Sequence, residues 1–348
     1  MTSSLAIAIF GDQMATGFLG ATEDPADLDG AGLWAVTQTF EGKFRAFRFE
    51  KLQPIDESVI AQSSHRGVPF ASWKSSMSQS EYESAVAVIR SDVERGWVYQ
   101  ANLCRVLSAP LEHELDVVGL WSLMRKNNPA PYLSALQVPA ELSGFAESTR
   151  IVCASPELFL ERRGDLIRSS PIKGTAKVAE ELLEKDRAEN VMIVDLVRND
   201  LGHVCKPGSV SVPDLLRLEK HPGLVHLVSD VEGRLPRDAT WTEIFTATAP
   251  PGSVSGAPKS SALEVIARLE KTERNIYCGG FGWIDGTERT AKLAVGIRTF
   301  WQSKSDTGWQ LNFGTGAGIT WGSDPTGEWN ETELKAAHLL SVAAMELG

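Results

Sequence analysis

The sequence predicts an α+β fold, a large two-layered β-sheet sandwich flanked by helices. Three observations predict it. Strand-like and helix-like stretches come in blocks without strict βα alternation, which speaks against a doubly wound parallel sheet. Strand candidates such as Lys43-Phe-Arg-Ala-Phe-Arg-Phe49 alternate with period two, the pattern of a half-covered sheet. No repeat of about 20 to 50 residues and no low-complexity linker divides the chain. Residues 1–348 therefore read as one domain, with 1–76 an N-terminal region and 77–348 the part that carries the motifs.

Taken in order, Ser4-Leu-Ala-Ile-Ala-Ile-Phe10 is too short and lacks the basic start of a signal peptide, so it reads as a first strand. An acidic Gly/Pro-rich loop follows over Ala21–Gly30, then strands at Leu33–Thr37 and Lys43–Phe49. Residues 54–76 read as linker. Tyr82, Ala85, Val86, Ile89 and Val93 mark one face of a helix from Ser78 that Gly96 stops. A strand over Val98–Val106 and a helix over Val117–Lys126 precede strands at Tyr132–Gln137 and Ile151–Cys153. Leu158–Arg162 and Leu166–Arg168 form a hairpin around Arg163-Gly-Asp165.

The centre of the chain is Ser169-Ser-Pro-Ile-Lys-Gly-Thr175, read as a strand end and turn, followed by a helix from Ala179 to about Leu201. The apolar residues of that helix fall at mixed spacings, which predicts burial on more than one side. Beyond it come strands at Val210–Val212, Leu215–Lys220 and Val225–Gly233, a short helix over Glu243–Ala247 and a clearer one over Ser260–Lys271. The tail offers strands at Gly280–Ile284, Lys292–Phe300 and Trp309–Phe313, and a last helix from about Gly327 to Met345.

Composition narrows the function. An apolar share of 43% and a charged share of 23% are those of a soluble globular protein. A net charge of −11 argues against nucleic acid. No apolar run approaches the roughly 20 residues of a membrane span. Cys104, Cys153, Cys205 and Cys278 are scattered, form no C-x-x-C pair, and read as reduced, buried thiols of a cytoplasmic protein.

Several residue groups suggest chemistry. Asp186 and Glu189 share a helix face, as do Glu328 and Glu331 with Lys335 one turn on. Two such pairs from distant helices would suit Mg²⁺, a hard cation that takes oxygen ligands; each pair taken alone reads as a solvated helix face. Gly314-Thr-Gly-Ala-Gly318 looks like a dinucleotide loop, but no helix opens after it, so its backbone N–H groups are candidates for a carboxylate instead. Gly252–Lys259 resembles a phosphate loop interrupted by Pro258, ahead of a helix N-terminus. Arg298 closes an apolar strand and suits a carboxylate or a structural ion pair. By default His226 is a structural strand residue, Glu157 a surface acid and Lys173 a solvated turn lysine. These groups point to a Mg²⁺-assisted site for an anionic substrate bearing carboxylates.

Together the segments resemble the chorismate-utilising enzymes, the family of anthranilate, isochorismate, salicylate and aminodeoxychorismate synthases. The resemblance covers about Ser78 to the C-terminus. It rests on Tyr99-Gln-Ala-Asn-Leu103, Ser155-Pro-Glu157, Pro171–Thr175, Asp186–Gly202, Gly252–Lys259, Gly296-Ile-Arg-Thr299, Gly316-Ala-Gly318 and Glu328–Glu331. It implies the anthranilate synthase component I-like fold and chorismate as substrate. Within the family, Lys173 and Asn190 resemble the aminodeoxychorismate synthase component I branch, where anthranilate synthases typically carry alanine and histidine. Gln100 stands where the isochorismate and salicylate enzymes have a water-activating lysine.

By that resemblance Lys173 is the nucleophile, Glu157 the acid and His226 its neighbour. Glu189 and Glu331 hold Mg²⁺ with Asp186 and Glu328 behind them. Arg298, Gly316, Ala317, Gly318, Ser253, Thr175 and, less centrally, Lys335 meet the substrate. No G-x-C-x-G nucleophile elbow occurs in the sequence, which implies ammonia from solution or from a separate glutamine amidotransferase subunit, for para-aminobenzoate and folate synthesis. The N-terminal region is short for the family and offers no counterpart of its tryptophan-inhibitor motif; Gly322 replaces a common aspartate. Anthranilate synthase and a non-catalytic chorismate-binding module are the alternatives.

Overall fold

A computed structural model describes residues 5–176, 178–221 and 224–347, without the side chains of Thr175, His221 and Leu224. Its helices are α1 (Glu57–Ala61), α2 (Gln79–Glu94), α3 (Val117–Asn127), α4 (Ala140–Ser143), α5 (Glu184–Gly202), α6 (Trp241–Thr248), α7 (Lys259–Leu269) and α8 (Pro325–Ala343). The strands join into one antiparallel ribbon that folds into two halves. The first half runs from the edge strand Ser211–His221 through Leu224–Arg234 to Leu166–Ser170 and Ile172–Ala176. It continues through Leu158–Arg163, Thr290–Val295, Gly280–Asp285, Leu33–Gln38 and Phe44–Pro54 to Gln13–Thr22. The second half continues through Ile7–Phe10, Tyr132–Val138, Thr149–Ser155, Thr299–Ser305 and Gly308–Ile319 to Gln100–Leu111.

Alternation explains the layering. In the second half Ala8, Cys104, Val106, Leu136, Ile151, Cys153 and Trp301 point into one core with Phe47, Phe159 and Phe281 of the first half. Their sequence neighbours Ile7, Ile9, Leu107, Ala135, Val152 and Phe300 point outward, into a second core closed by α3 and α8. Helix α5 lays Ile193, Val194, Val197 and Leu201 on the first half. The α+β sandwich that the sequence predicts is therefore the observed architecture.

Several elements differ from expectation, each for a physical reason. Helix α5 starts at Glu184, because Ala179–Glu181 forms a 3₁₀ turn instead. Its buried residues Asn190, Ile193, Val194, Val197, Asp200 and Leu201 form a single stripe, while Leu183 and Val191 are exposed, so it is buried on one side only. Residues 54–76 carry α1 and the short strand Lys74–Ser75. A second strand, Gln13–Thr22, precedes the acidic loop. The expected strand Lys292–Phe300 is two strands, broken at Gly296-Ile-Arg298 where the chain passes between the halves. The Gly-rich segment 314–318 is not a loop but the end of the strand Gly308–Ile319.

A buried ion pair braces the core behind that strand. Arg274 donates to both oxygens of Glu270, at 2.7 and 2.6 Å, and to the carbonyls of Val254 and Asn102. Arg274→Met would leave Glu270 buried without its cation, and the expected loss is about 3–5 kcal/mol in a urea titration. A loss below about 1 kcal/mol would show that water reaches the pair.

Candidate active site

The chain passes between the halves at two adjoining places, and each brings one functional side chain. Pro156-Glu157 links Thr149–Ser155 to Leu158–Arg163, and Gly296-Ile-Arg298 links Thr290–Val295 to Thr299–Ser305. The two passages are tied together: the Val295 N–H donates to the Glu157 carbonyl at 3.0 Å, and the Ala154 N–H to the Arg298 carbonyl at 3.0 Å. Arg298 sits at φ +51°, a left-handed conformation that an extended strand does not contain.

Glu157 is 4% exposed, and its Oε1 atom has no hydrogen-bond partner among the described residues. Burial pushes its carboxyl up to about 7; the Ser253 hydroxyl, the Lys173 charge and the Ile172 N–H oppose that push. The surface role that is ordinary for such a residue is thus overturned. Lys173 lies on the short irregular strand Ile172–Ala176, not in a turn, and is only partly exposed. Desolvation lowers its pKa; Lys335 adds to this, while Glu189 chiefly, then Glu157 and Glu331, oppose it. Gly174 bends this strand at φ +87°, and a Cβ there would lie 2.9 Å from the Cβ of Asp186. Only glycine lets the lysine strand sit so close to α5.

The four carboxylates come from two helices, as the spacing suggests. On α5, Asp186 accepts from the Leu183 N–H at 2.8 Å, and Glu189 is pushed up by burial while Lys173 and Lys185 pull it down. On α8, Glu328 is pushed up by burial, and its Oε2 atom is buried with no partner among the described residues. Burial also raises Glu331, but Lys335, Lys185 and Lys173 outweigh it and hold its carboxyl low. Lys335 binds Glu331 at 2.6 Å and donates to the Gly316 carbonyl at 3.0 Å. Among the described residues, no three His, Cys, Asp or Glu side chains already converge as metal ligands. The donor set still fits a hard dication, since every donor is a carboxylate oxygen and one buried oxygen awaits a partner.

Arg298 has no ion pair or hydrogen bond from its side chain among the described residues, and burial lowers its pKa. A desolvated guanidinium without a carboxylate is a ready anion site. The strand Gly308–Ile319 presents Gly314, Gly316 and Gly318 on one face. A Cβ at Gly314 would lie 2.0 Å from the Tyr277 ring, at Gly316 2.5 Å from Cys104 Sγ, and at Gly318 2.1 Å from Gln100 Nε2. Ala317 points the other way: its methyl is buried in a third core with Tyr82, Val86 and Ile319, so only its backbone faces the site. His226 is buried on Leu224–Arg234, opposite Thr175, whose side chain lies outside the described atoms.

Asn190 is a clamp. It donates to the Leu227 carbonyl at 3.0 Å and accepts from the Ser229 hydroxyl at 2.5 Å, holding α5 against the His226 strand. Tyr277 beneath the glycines was not singled out from sequence, because nothing in its spacing marks it; Asp200 and Lys259 stood inside marked motifs, but nothing in the sequence joins them as a pair. Gln100 was marked only by its place in a motif; it is fully buried and neither of its side-chain polar atoms has a partner among the described residues. A buried amide with no partner is costly unless a ligand completes it.

This chain belongs to the chorismate binding enzyme family, whose profile matches residues 41–341. It is similar to anthranilate synthase component 1 of Haloferax volcanii, 37% identical over 78% of this chain and 52% of that protein. It is also similar to aminodeoxychorismate synthase component 1 of Bacillus subtilis, 35% identical over 73% of this chain and 54% of that one. The chain thus spans about half the length of these curated relatives. Among solved structures, anthranilate synthase component I of Streptococcus pneumoniae superposes with a TM-score of 0.72 at 24% identity, over 89% of this chain and 80% of that one. The menaquinone-specific isochorismate synthase of Escherichia coli superposes at 0.76 and 16% identity, over 98% and 89%. The fold is that of the chorismate-utilising enzymes.

Proposed function

We propose that this chain is the chorismate-aminating component of an aminodeoxychorismate synthase, making 4-amino-4-deoxychorismate from chorismate and ammonia. The observation that carries the reading is the pairing of Lys173, a lysine with lowered proton affinity, with Glu157, a carboxyl titrating near neutrality. The neutral Lys173 amine attacks C2 of chorismate while Glu157 protonates the departing C4 hydroxyl, which leaves as water. Ammonia then adds at C4 and expels Lys173 from C2. The proton shed by the attacking ammonia balances the one that Glu157 gave. His226 is read as a neighbour that orients this acid.

Arg298 and the N–H groups near Gly316, Ala317 and Gly318 would take the enolpyruvyl carboxylate, with Ser253 and Thr175 at the ring and Lys335 beside Gly316. Glu189 and Glu331, with Asp186 and Glu328 behind them, would hold Mg²⁺, which when bound supplies a positive clamp for the ring carboxylate. Glu189→Gln or Glu331→Gln is expected to weaken Mg²⁺ binding, read by titration calorimetry, by about tenfold or more while the circular dichroism spectrum is kept. Unchanged Mg²⁺ affinity in both would remove the assignment.

Among the described residues no helix is long and apolar enough to cross a membrane. With no G-x-C-x-G elbow in its 348 residues, the chain should use ammonium and not glutamine, the amide nitrogen being released by a glutaminase partner. The deciding experiment is chromatography of the product formed from chorismate, Mg²⁺ and ammonium. Aminodeoxychorismate is expected. Fluorescent anthranilate would replace this reading with the anthranilate synthase one, and chorismate binding without turnover would leave a binding module.

A further inference from the structure

Lys259, the first residue of α7, ties α6 and α7 to the distant helix α5. Its ammonium donates to Asp200 at the end of α5, at 2.6 Å, and to the Thr248 carbonyl at the end of α6, at 3.2 Å. Thr248 and Lys259 bracket the segment 249–258, so these two bonds close that segment into a loop and fix it to α5. Ser253 stands in its middle. Gly252, just before it, lies directly on α5: a Cβ there would meet Leu196 at 2.7 Å and the Asp200 carboxylate at 3.6 Å. The far side of the loop is held by Asn102, which donates to the Ser253 carbonyl at 3.1 Å, and by Arg274 on Val254.

Behind Glu157 lies a narrow cavity with about 10 Å³ open to a water centre, room for roughly one molecule. Glu157, Asp200, Ser253, Ser169 and Thr248 all line it. Two acidic residues thus line one small buried space, and Lys259 is the cation paired with the second of them. Burial pushes Asp200 up to about 6, with Lys259 and then His203 opposing. Glu157 is faced by Ser253 from the loop and by Lys173 and the Ile172 N–H from their strand, while Asp200 lines the same cavity.

We propose that the Asp200–Lys259 ion pair is a positioning element for the acid: it pins the loop so that the Ser253 hydroxyl meets the Glu157 carboxyl. The proposal rests on the reading of Glu157 as the acid. The Lys259 ammonium is taken up by Asp200 and the Thr248 carbonyl, so its effect runs through Ser253. Losing the pin withdraws a hydrogen bond that favours the ionised carboxylate, so Glu157 should hold its proton to higher pH.

The test is a pH titration of the infrared carbonyl band of protonated Glu157, identified as the band missing from Glu157→Gln. In the parent protein the band should fade around pH 7. Ser253→Ala should move the midpoint up by about one pH unit, and Lys259→Met should move it by a similar amount. The double variant should match Ser253→Ala alone, because both act through one hydrogen bond. Lys259→Arg should return the midpoint toward the parent value. Asp200→Asn, which keeps the lysine, should shift it in the same direction and serves if Lys259→Met does not fold. A midpoint that moves in Ser253→Ala but stays put in both pair variants overturns the proposal, as do additive shifts in the double variant. A parent band that does not titrate near neutrality would instead sink the acid assignment itself.

Discussion

Lys173→Ala is expected to lower aminodeoxychorismate formation by about a hundredfold or more while chorismate still binds. An ordinary lysine, with a pKa of about 10.4, is almost wholly protonated near neutrality and cannot attack carbon. Here desolvation lowers that value, and Lys335 adds repulsion. Glu189, Glu157 and Glu331 work the other way, each favouring the ammonium. A bound dication at Glu189 and Glu331 would quench that opposition, so Lys173 should be most nucleophilic when Mg²⁺ is present. Activity should fall as pH drops below the lowered lysine value, because the protonated amine has no lone pair to give. Direct attack by ammonia on chorismate would leave a residual rate. A variant that aminates at the parent rate would reduce Lys173 to an electrostatic element.

Glu157→Gln is expected to lower turnover by about 10²- to 10⁴-fold, the usual worth of a general acid. A carboxyl at its ordinary value would be protonated only about 2 times in a thousand at pH 7. At about 7 it is protonated half the time, which is what proton donation to a leaving hydroxyl needs. The sign follows: activity should fall as pH rises through this value, and the residual activity of Glu157→Gln should lack that fall. The charges of the lysine and the acid act on one another, so the two limbs of the pH profile belong to the pair and not to either residue. A profile for Glu157→Gln that keeps the parent alkaline limb would contradict the assignment.

Local periodicity made much of the fold legible. Helix α2 was readable to within a residue or two, because Ser78 caps it reciprocally with Glu81 and its apolar stripe is regular. The hairpin around Arg163-Gly-Asp165 was readable for similar reasons, with Gly164 at φ +64° in its turn. The break at Gly296-Ile-Arg298 was not legible, since an apolar run looks the same whether it stays in one layer or crosses to another. The glycines at 314, 316 and 318 read as loop residues because the demand for them comes from Tyr277, Cys104 and Gln100, which are far from them in sequence. Paired carboxylates on α5 and α8 were visible as spacing, but spacing does not say that the charge of Glu331 reaches Glu189. The burial of Glu157 and the partial burial of Lys173 are tertiary facts, and the reactivity proposed for them rests on that burial.

The central claim is that Lys173 bonds covalently to the substrate. Protein incubated with chorismate and Mg²⁺, without ammonia, and then rapidly quenched should carry a chorismate-derived adduct. Peptide mass spectrometry should place it on the peptide containing Lys173, and ammonium should discharge it to 4-amino-4-deoxychorismate. Lys173→Ala should show none. Steady amination of chorismate by the parent protein, with no adduct on Lys173 at any quench time, would contradict the account.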